Sequence, residues 1–192
     1  MANLDKALLD RLMKLLVETG ALQFGDFTLS SGVKSTYYLD GRKASYHPEG
    51  AYLIGQLVYQ ALEGTGAEAV GGLTMGADPI AVGTGIVSHQ RGKPIAVFSV
   101  RKEPKEHGTR RLIEGSLPDR PGVKVAIVDD TMTTGASLAK AASTVEEAGC
   151  KVVKVIAIVD RMQGGVEALR SKGYDVQVLL DLDKSGKLKP SA

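Results

Sequence analysis

Residues 125 to 137, VAIVDDTMTTGAS, pass from an apolar run into two adjacent aspartates, and from there into hydroxyl-bearing and small residues. Strands covered on both faces of a parallel sheet are apolar nearly throughout. In open sheets of that kind, ligands bind beyond the carboxyl ends of the strands, where the topology switches direction. Asp129 and Asp130 fall at such an end. The residues that follow, Thr131, Met132, Thr133, Thr134, Gly135, Ala136 and Ser137, offer backbone N–H groups, hydroxyls and a glycine ahead of a helix. That is the chemistry of a phosphate cradle facing the positive end of a helix dipole. Carboxylates beside a phosphate repel it unless they accept hydrogen bonds from sugar hydroxyls or hold a hydrated Mg²⁺. A phosphorylated sugar satisfies both halves of the stretch. The plainer alternative is that the acids cap the helix and the threonines bond their own backbone. On the ligand reading the two acids are expected in an exposed loop, where asparagines would not unfold the chain; a double variant that unfolds would favour capping.

The same apolar signature recurs in AEAVGGL (67–73), PIAVFSV (94–100), VKVAIVDD (123–130) and KVVKVIAIVD (151–160). Helical patterns separate most of them: one that Asp78 could cap with Pro79 in its first turn, ASLAKAASTVEEAG (136–149) and GGVEALRSKG (164–173), with a last strand in YDVQVLLDL (174–182). Alternating strands and helices predict an α/β fold with a doubly wound, mainly parallel central sheet flanked by helices. Towards the N-terminus, Leu4, Leu8, Leu12, Leu15 and Leu16 recur at helical spacing between a candidate cap, Asn3, and a stop, Gly20. FGDFTL and STYYLD then read as two short strands joined by a turn, and a helix starting at Pro48 runs to Gly64. The division expected is a small N-terminal hood subdomain over residues 1–45 and a core domain over 46–192.

A chain of 192 residues that is 43% hydrophobic can bury a sizeable core. Its 24 Lys and Arg nearly cancel its 22 Asp and Glu, so no global field marks a nucleic-acid or membrane-surface protein. A single cysteine, Cys150, excludes a disulfide framework and any CxxC motif; it reads as a small buried hydrophobe in a reducing compartment. The N-terminal segment carries Asp5, Lys6, Asp10, Arg11 and Lys14 among its leucines, unlike a signal peptide or membrane span, so a cytoplasmic location is expected. No GxxxxGK[ST] or complete GxGxxG occurs, which disfavours an NTPase or a dinucleotide enzyme. His47 and His89 lie outside every motif, and the scattered histidines make no zinc site.

Residues 125–137 resemble the phosphoribosyl pyrophosphate (PRPP) motif of the type I phosphoribosyltransferases. RKEPKEHG (101–108), a basic loop leaving a strand, is similar to the flexible catalytic loop of orotate phosphoribosyltransferases. That resemblance gives Arg101, Lys102, Lys105 and His107 to the pyrophosphate end of PRPP, with Lys102, Lys105, His107, Asp129 and Asp130 as the catalytic set. It gives the 5-phosphate to residues 131–137 and further pyrophosphate contacts to Thr74, Met75 and Gly76, within GGLTMGADPIA (71–81). FTLSSGVKSTYYLDGRK (27–43) and VDRMQGG (159–165) resemble base-binding segments, which implies that Tyr37, Tyr38 and Arg161 hold orotate, and Thr133 corresponds to the threonine of the PRPP motif that touches the base. Some relatives carry lysines where this chain has Ser30 and Thr74-Met75. The resemblance also implies Mg²⁺ bound largely through PRPP, and a homodimer whose basic lid reaches the partner's site. Two alternatives stay open: a phosphoribosyltransferase for a purine or uracil, and a non-catalytic PRPP-sensing regulator of the same fold.

Overall fold

The computed structural model describes residues 4–28, 34–103 and 112–191. The first helix, α1 (Lys6–Glu18), buries Leu9, Leu12, Leu15 and Leu16 on one stripe. Its cap is Asp5 rather than Asn3: the Asp5 carboxylate accepts from the amides of Ala7 and Leu8, which places the helix start beyond the residue chosen from spacing. Strands β1 (Leu22–Thr28) and β2 (Lys34–Leu39) pair antiparallel as a separate two-stranded sheet. A single turn, α2 (Arg42–Ser45), leads to α3 (Pro48–Leu62), with Pro48 in its first turn.

The remaining elements in chain order are β3 (Ala69–Leu73), α4 (Asp78–Gln90), β4 (Ala96–Val100), β5 (Ile113–Gly115), β6 (Lys124–Met132), α5 (Ala136–Glu147), β7 (Lys151–Asp160), α6 (Gly165–Arg170), β8 (Val176–Leu182) and β9 (Leu188–Pro190). Asp78 lies inside α4 and Ala77 is the cap; the Asp78 carboxylate instead accepts from Ser99 Oγ at 2.6 Å. Seven strands form one sheet in the order β5-β4-β3-β6-β7-β8-β9. The five inner strands run parallel, and β5 and β9 pair antiparallel at the two edges. Because β3 passes to β4 on one side while β6, β7 and β8 extend on the other, the topology switches between β3 and β6.

One face of this sheet presents Val70, Ala126, Val128, Ile156 and Ile158 to α1, α3 and α4. The other presents Ala69, Val125, Ile127, Val155 and Ala157 to α5 and α6. Successive strand residues face opposite sides, so the near-continuous apolar runs of β6 and β7 serve two cores at once. Tyr37 and Leu22 join the first core, so the β1–β2 hairpin is anchored to the same cluster as α1. Cys150 is half-buried against the second core, and burial pushes its thiol pKa up.

Candidate active site

The switch point lies where the strand end carrying Asp129 and Asp130 meets the loop after β3. β6 runs two residues past these acids: Thr131 pairs with Val159 and Met132 with Asp160, because the neighbouring β7 is equally long. The expectation of an exposed loop is therefore corrected. Asp129 is 8% exposed and sits within a strand. Burial first, and then the charge of Asp130, push its carboxyl far above the ordinary carboxylate range. Burial raises Asp130 as well, against the lowering effect of its hydrogen bond with Asp129. Glycine backbones enclose the pair. A Cβ on Gly76 would stand 2.5 Å from Asp129 Oδ1 and 2.7 Å from Asp130 Oδ1, and one on Gly41 would stand 2.8 Å from Asp130 Oδ2.

After the acids, the stretch up to Leu138 lines a hollow of about 50 Å³. Thr131 Oγ1 is buried there with no hydrogen-bond partner among the described residues. Such a hydroxyl costs free energy unless a ligand completes it. Gly135 takes φ +78°, a conformation glycine adopts freely, and opens α5. No side-chain hydrogen bond caps that helix among the described residues, so its first amides are available to an anion. Thr134, Ala136 and Ser137 are exposed and Thr133 is half-buried. Met132 differs from its neighbours: at 1% exposure its side chain belongs to the second core, which leaves only its backbone to face a ligand.

Beside this hollow, at the end of β7, the Arg161 guanidinium lies over the Tyr37 ring, 5.5 Å from its centroid. Arg161 Nε is buried without a hydrogen-bond partner among the described residues. Tyr37 is 5% exposed and Tyr38 40%, because consecutive strand residues face opposite sides. Tyr38 packs instead against Phe27, ring centroids 5.8 Å apart. The two tyrosines therefore do not line a common face. Gly186, in the turn between β8 and β9, closes over Tyr37: a Cβ there would meet Phe24 at 2.8 Å and Tyr37 at 3.1 Å. Sequence reasoning missed this contact, since LDKSGKL carries only an ordinary turn signal.

The basic segment leaves the β4–β5 pair, with Arg101 N–H donating to Leu112 O at 2.8 Å. Arg101 Nε lies 3.3 Å from Glu114 Oε1, an ion pair without hydrogen-bond geometry. Lys102 is exposed, near enough to Asp129 to favour that carboxylate's charged form, and its carbonyl accepts from Lys140 Nζ at 2.9 Å. Lys105, His107 and Ser30 lie outside the described residues. Thr74 and Gly76 are half-buried and Met75 is exposed, all in the loop that faces the acids, and the Thr74–Met75 peptide is cis. His47 and His89 are both exposed.

Residues 84–181 match the phosphoribosyl transferase domain family. The orotate phosphoribosyltransferase of Aquifex aeolicus is 43% identical over 172 residues, covering 88% of this chain and 93% of that protein. That of Rhodopirellula baltica is 42% identical over 191 residues, covering 96% of each. Among solved structures, Mycobacterium tuberculosis orotate phosphoribosyltransferase in complex with PRPP superposes with a TM-score of 0.76 at 36% identity, over 91% of this chain and 96% of that one. With a doubly wound sheet, an acidic pair at its switch point and likeness along nearly the whole length, the chain belongs to the orotate phosphoribosyltransferases within the phosphoribosyl transferase domain family.

Proposed function

We propose that the protein transfers the phosphoribosyl group of PRPP to orotate, giving orotidine 5-monophosphate and pyrophosphate in pyrimidine biosynthesis. The observation that carries this reading is the adjacency, on neighbouring strand ends, of the buried Asp129–Asp130 pair and its phosphate-sized hollow with an Arg161 guanidinium over Tyr37. One side suits a ribose phosphate; the other suits a flat, anionic ring.

In this reading the 5-phosphate lies against the amides and hydroxyls of Thr131 to Ser137, and Asp129 and Asp130 accept hydrogen bonds from the ribose hydroxyls. Orotate lies against Arg161 and Thr133, with Tyr37 backing the guanidinium and Tyr38 reaching the site from the opposite face of β2. A ring nitrogen of orotate attacks the anomeric carbon as its bond to the pyrophosphate oxygen breaks. The departing polyanion is held by Arg101, Lys102, Lys105, His107 and the backbone of Thr74, Met75 and Gly76. His107 donates a hydrogen bond or a proton to it. These fixed donors stabilise charge as it develops on the leaving group, and a closed lid excludes water.

Among the described residues no group of three His, Cys, Asp or Glu side chains is placed to hold a metal ion. The donors that fit Mg²⁺ are Asp129 and Asp130: their buried like charges favour a hydrated divalent cation, and a cation shared with PRPP would need few protein ligands. When bound, Mg²⁺ would neutralise charge on the pyrophosphate. Residues 1–45 act as a hood carrying the base-binding tyrosines over the core of residues 46–192. A homodimer, with the basic lid shared across subunits, fits the exposed Tyr52, Val82 and Ile86 on α3 and α4. No described helix is long and apolar enough to cross a membrane.

Purified protein assayed with PRPP and Mg²⁺ against orotate, uracil, adenine, guanine and hypoxanthine separately tests the reading. Consumption of orotate alone is expected. Turnover of another base in preference, or of none, would overturn it.

A further inference from the structure

Asp40, Gly41 and Arg42 join the tyrosine hairpin to the acidic pair. Gly41 is buried at φ −59° and ψ −24°, a conformation open to any residue, so its backbone does not require glycine. Its surroundings do. A Cβ would stand 2.8 Å from Asp130 Oδ2, 3.1 Å from Asp130 Cβ and 2.9 Å from Thr131 Oγ1, the buried hydroxyl without a partner among the described residues.

The turn that presents this bare backbone is itself fixed. Asp40 N–H donates to Ala21 O at 2.8 Å, just ahead of β1. The Asp40 carboxylate accepts from Arg42 Nε at 2.8 Å, Nη2 at 3.0 Å and the Arg42 amide at 3.2 Å. A forked guanidinium contact of this kind restricts orientation more than a single bond does. After α2 the chain reaches the other wall of the crevice, where the Tyr46 hydroxyl donates to Met75 O at 3.5 Å. Gly76 on that wall packs against the other Asp130 oxygen, Oδ1, and against Asp129 Oδ1. Asp130 is therefore held between two glycine backbones, one belonging to the segment that follows the base-side hairpin.

We propose, resting on the PRPP site described above, that the Asp40–Gly41–Arg42 turn is a positioning element. The bare backbone of Gly41 braces the Asp130 carboxylate and the Thr131 hydroxyl, so that these PRPP-binding groups hold one geometry. A methyl group at position 41 leaves the backbone conformation allowed. It meets the ends of two short side chains and displaces them, so PRPP suffers and orotate does not.

The test compares the parent protein with Gly41→Ala, Arg42→Ala and Arg42→Lys by three readouts: PRPP calorimetry with Mg²⁺, the separate KM values for PRPP and orotate, and ligand-free melting. Gly41→Ala is expected to raise Kd and KM for PRPP at least tenfold, with orotate KM within twofold and melting unchanged. Arg42→Ala leaves Gly41 in place but removes both the fork to Asp40 and a positive charge that acts on Asp130, and is expected to raise PRPP KM at least threefold; Arg42→Lys keeps the charge without the fork, and is expected to restore only part of it. PRPP constants within twofold of the parent in both Gly41→Ala and Arg42→Ala would overturn the proposal. So would a joint loss of melting temperature and of affinity for both substrates, the mark of ordinary packing. A parent protein that neither binds PRPP nor consumes orotate would sink the functional reading itself; an active parent with unaltered variants would sink the turn alone.

Discussion

Asp129 and Asp130 place two like charges on a buried strand end, an arrangement that weakens the empty protein and is useful once a ligand arrives. Both carboxyls have pKa values raised in the fold. The stability they contribute is thus complete below the ordinary carboxylate range of about 4 and is lost as pH rises through the folded values. Replacing both by asparagine removes that loss. In EDTA and without substrate, Asp129→Asn/Asp130→Asn should exceed the parent in stability by more than about 1.4 kcal/mol near pH 8. The gap should shrink towards pH 4. Denaturant melts across that range check this, and a gap independent of pH would contradict it. The sequence located these acids but misplaced their surroundings. Nothing in VDDTM signals that β7 would carry the ladder on to Met132 and bury Asp129.

At the scale of elements, the loop and helix that follow β6 depend on Gly135. Its φ of +78° and the approach of Leu169 to 3.1 Å from a built Cβ both oppose a side chain. Gly135→Ala should cost about 1–2 kcal/mol of stability. It should also weaken PRPP binding by tilting the first amides of α5, which calorimetry would read. In the lid, Lys102→Ala is expected to lower kcat ~10²–10³-fold, the usual effect of losing one preorganised donor. Steady-state turnover within a few-fold of the parent would remove Lys102 from the leaving-group clamp. The buried strands and long helices were legible because their apolar runs and helical stripes are set by two covered sheet faces. Ile113–Gly115 and Leu188–Pro190 were not, since an edge strand of three residues is held by its neighbour's ladder rather than by its own composition. The four-residue α2 was hidden for a similar reason: it is too short to show a period.

For the whole molecule, α3 and α4 cross closely enough that a Cβ on Gly83 would stand 2.7 Å from Ala51 O. Close to this crossing Tyr52, Val82 and Ile86 remain exposed on a protein whose charges nearly cancel. If a second copy covers them, Ile86→Asp should shift the protein to monomer in sedimentation and cut turnover by more than tenfold, because the lid would lose the site it serves. A variant that stays dimeric and active would move the interface elsewhere. The central claim is that the strand end at Asp129 and the amide-rich bend after it grip the ribose phosphate of PRPP. Calorimetric titration of PRPP with Mg²⁺ into the parent and into Asp129→Asn/Asp130→Asn tests it most directly. The account predicts saturable heat in the parent, and binding at least tenfold weaker in a double variant that melts no lower. Equal PRPP affinity in the two proteins would contradict it.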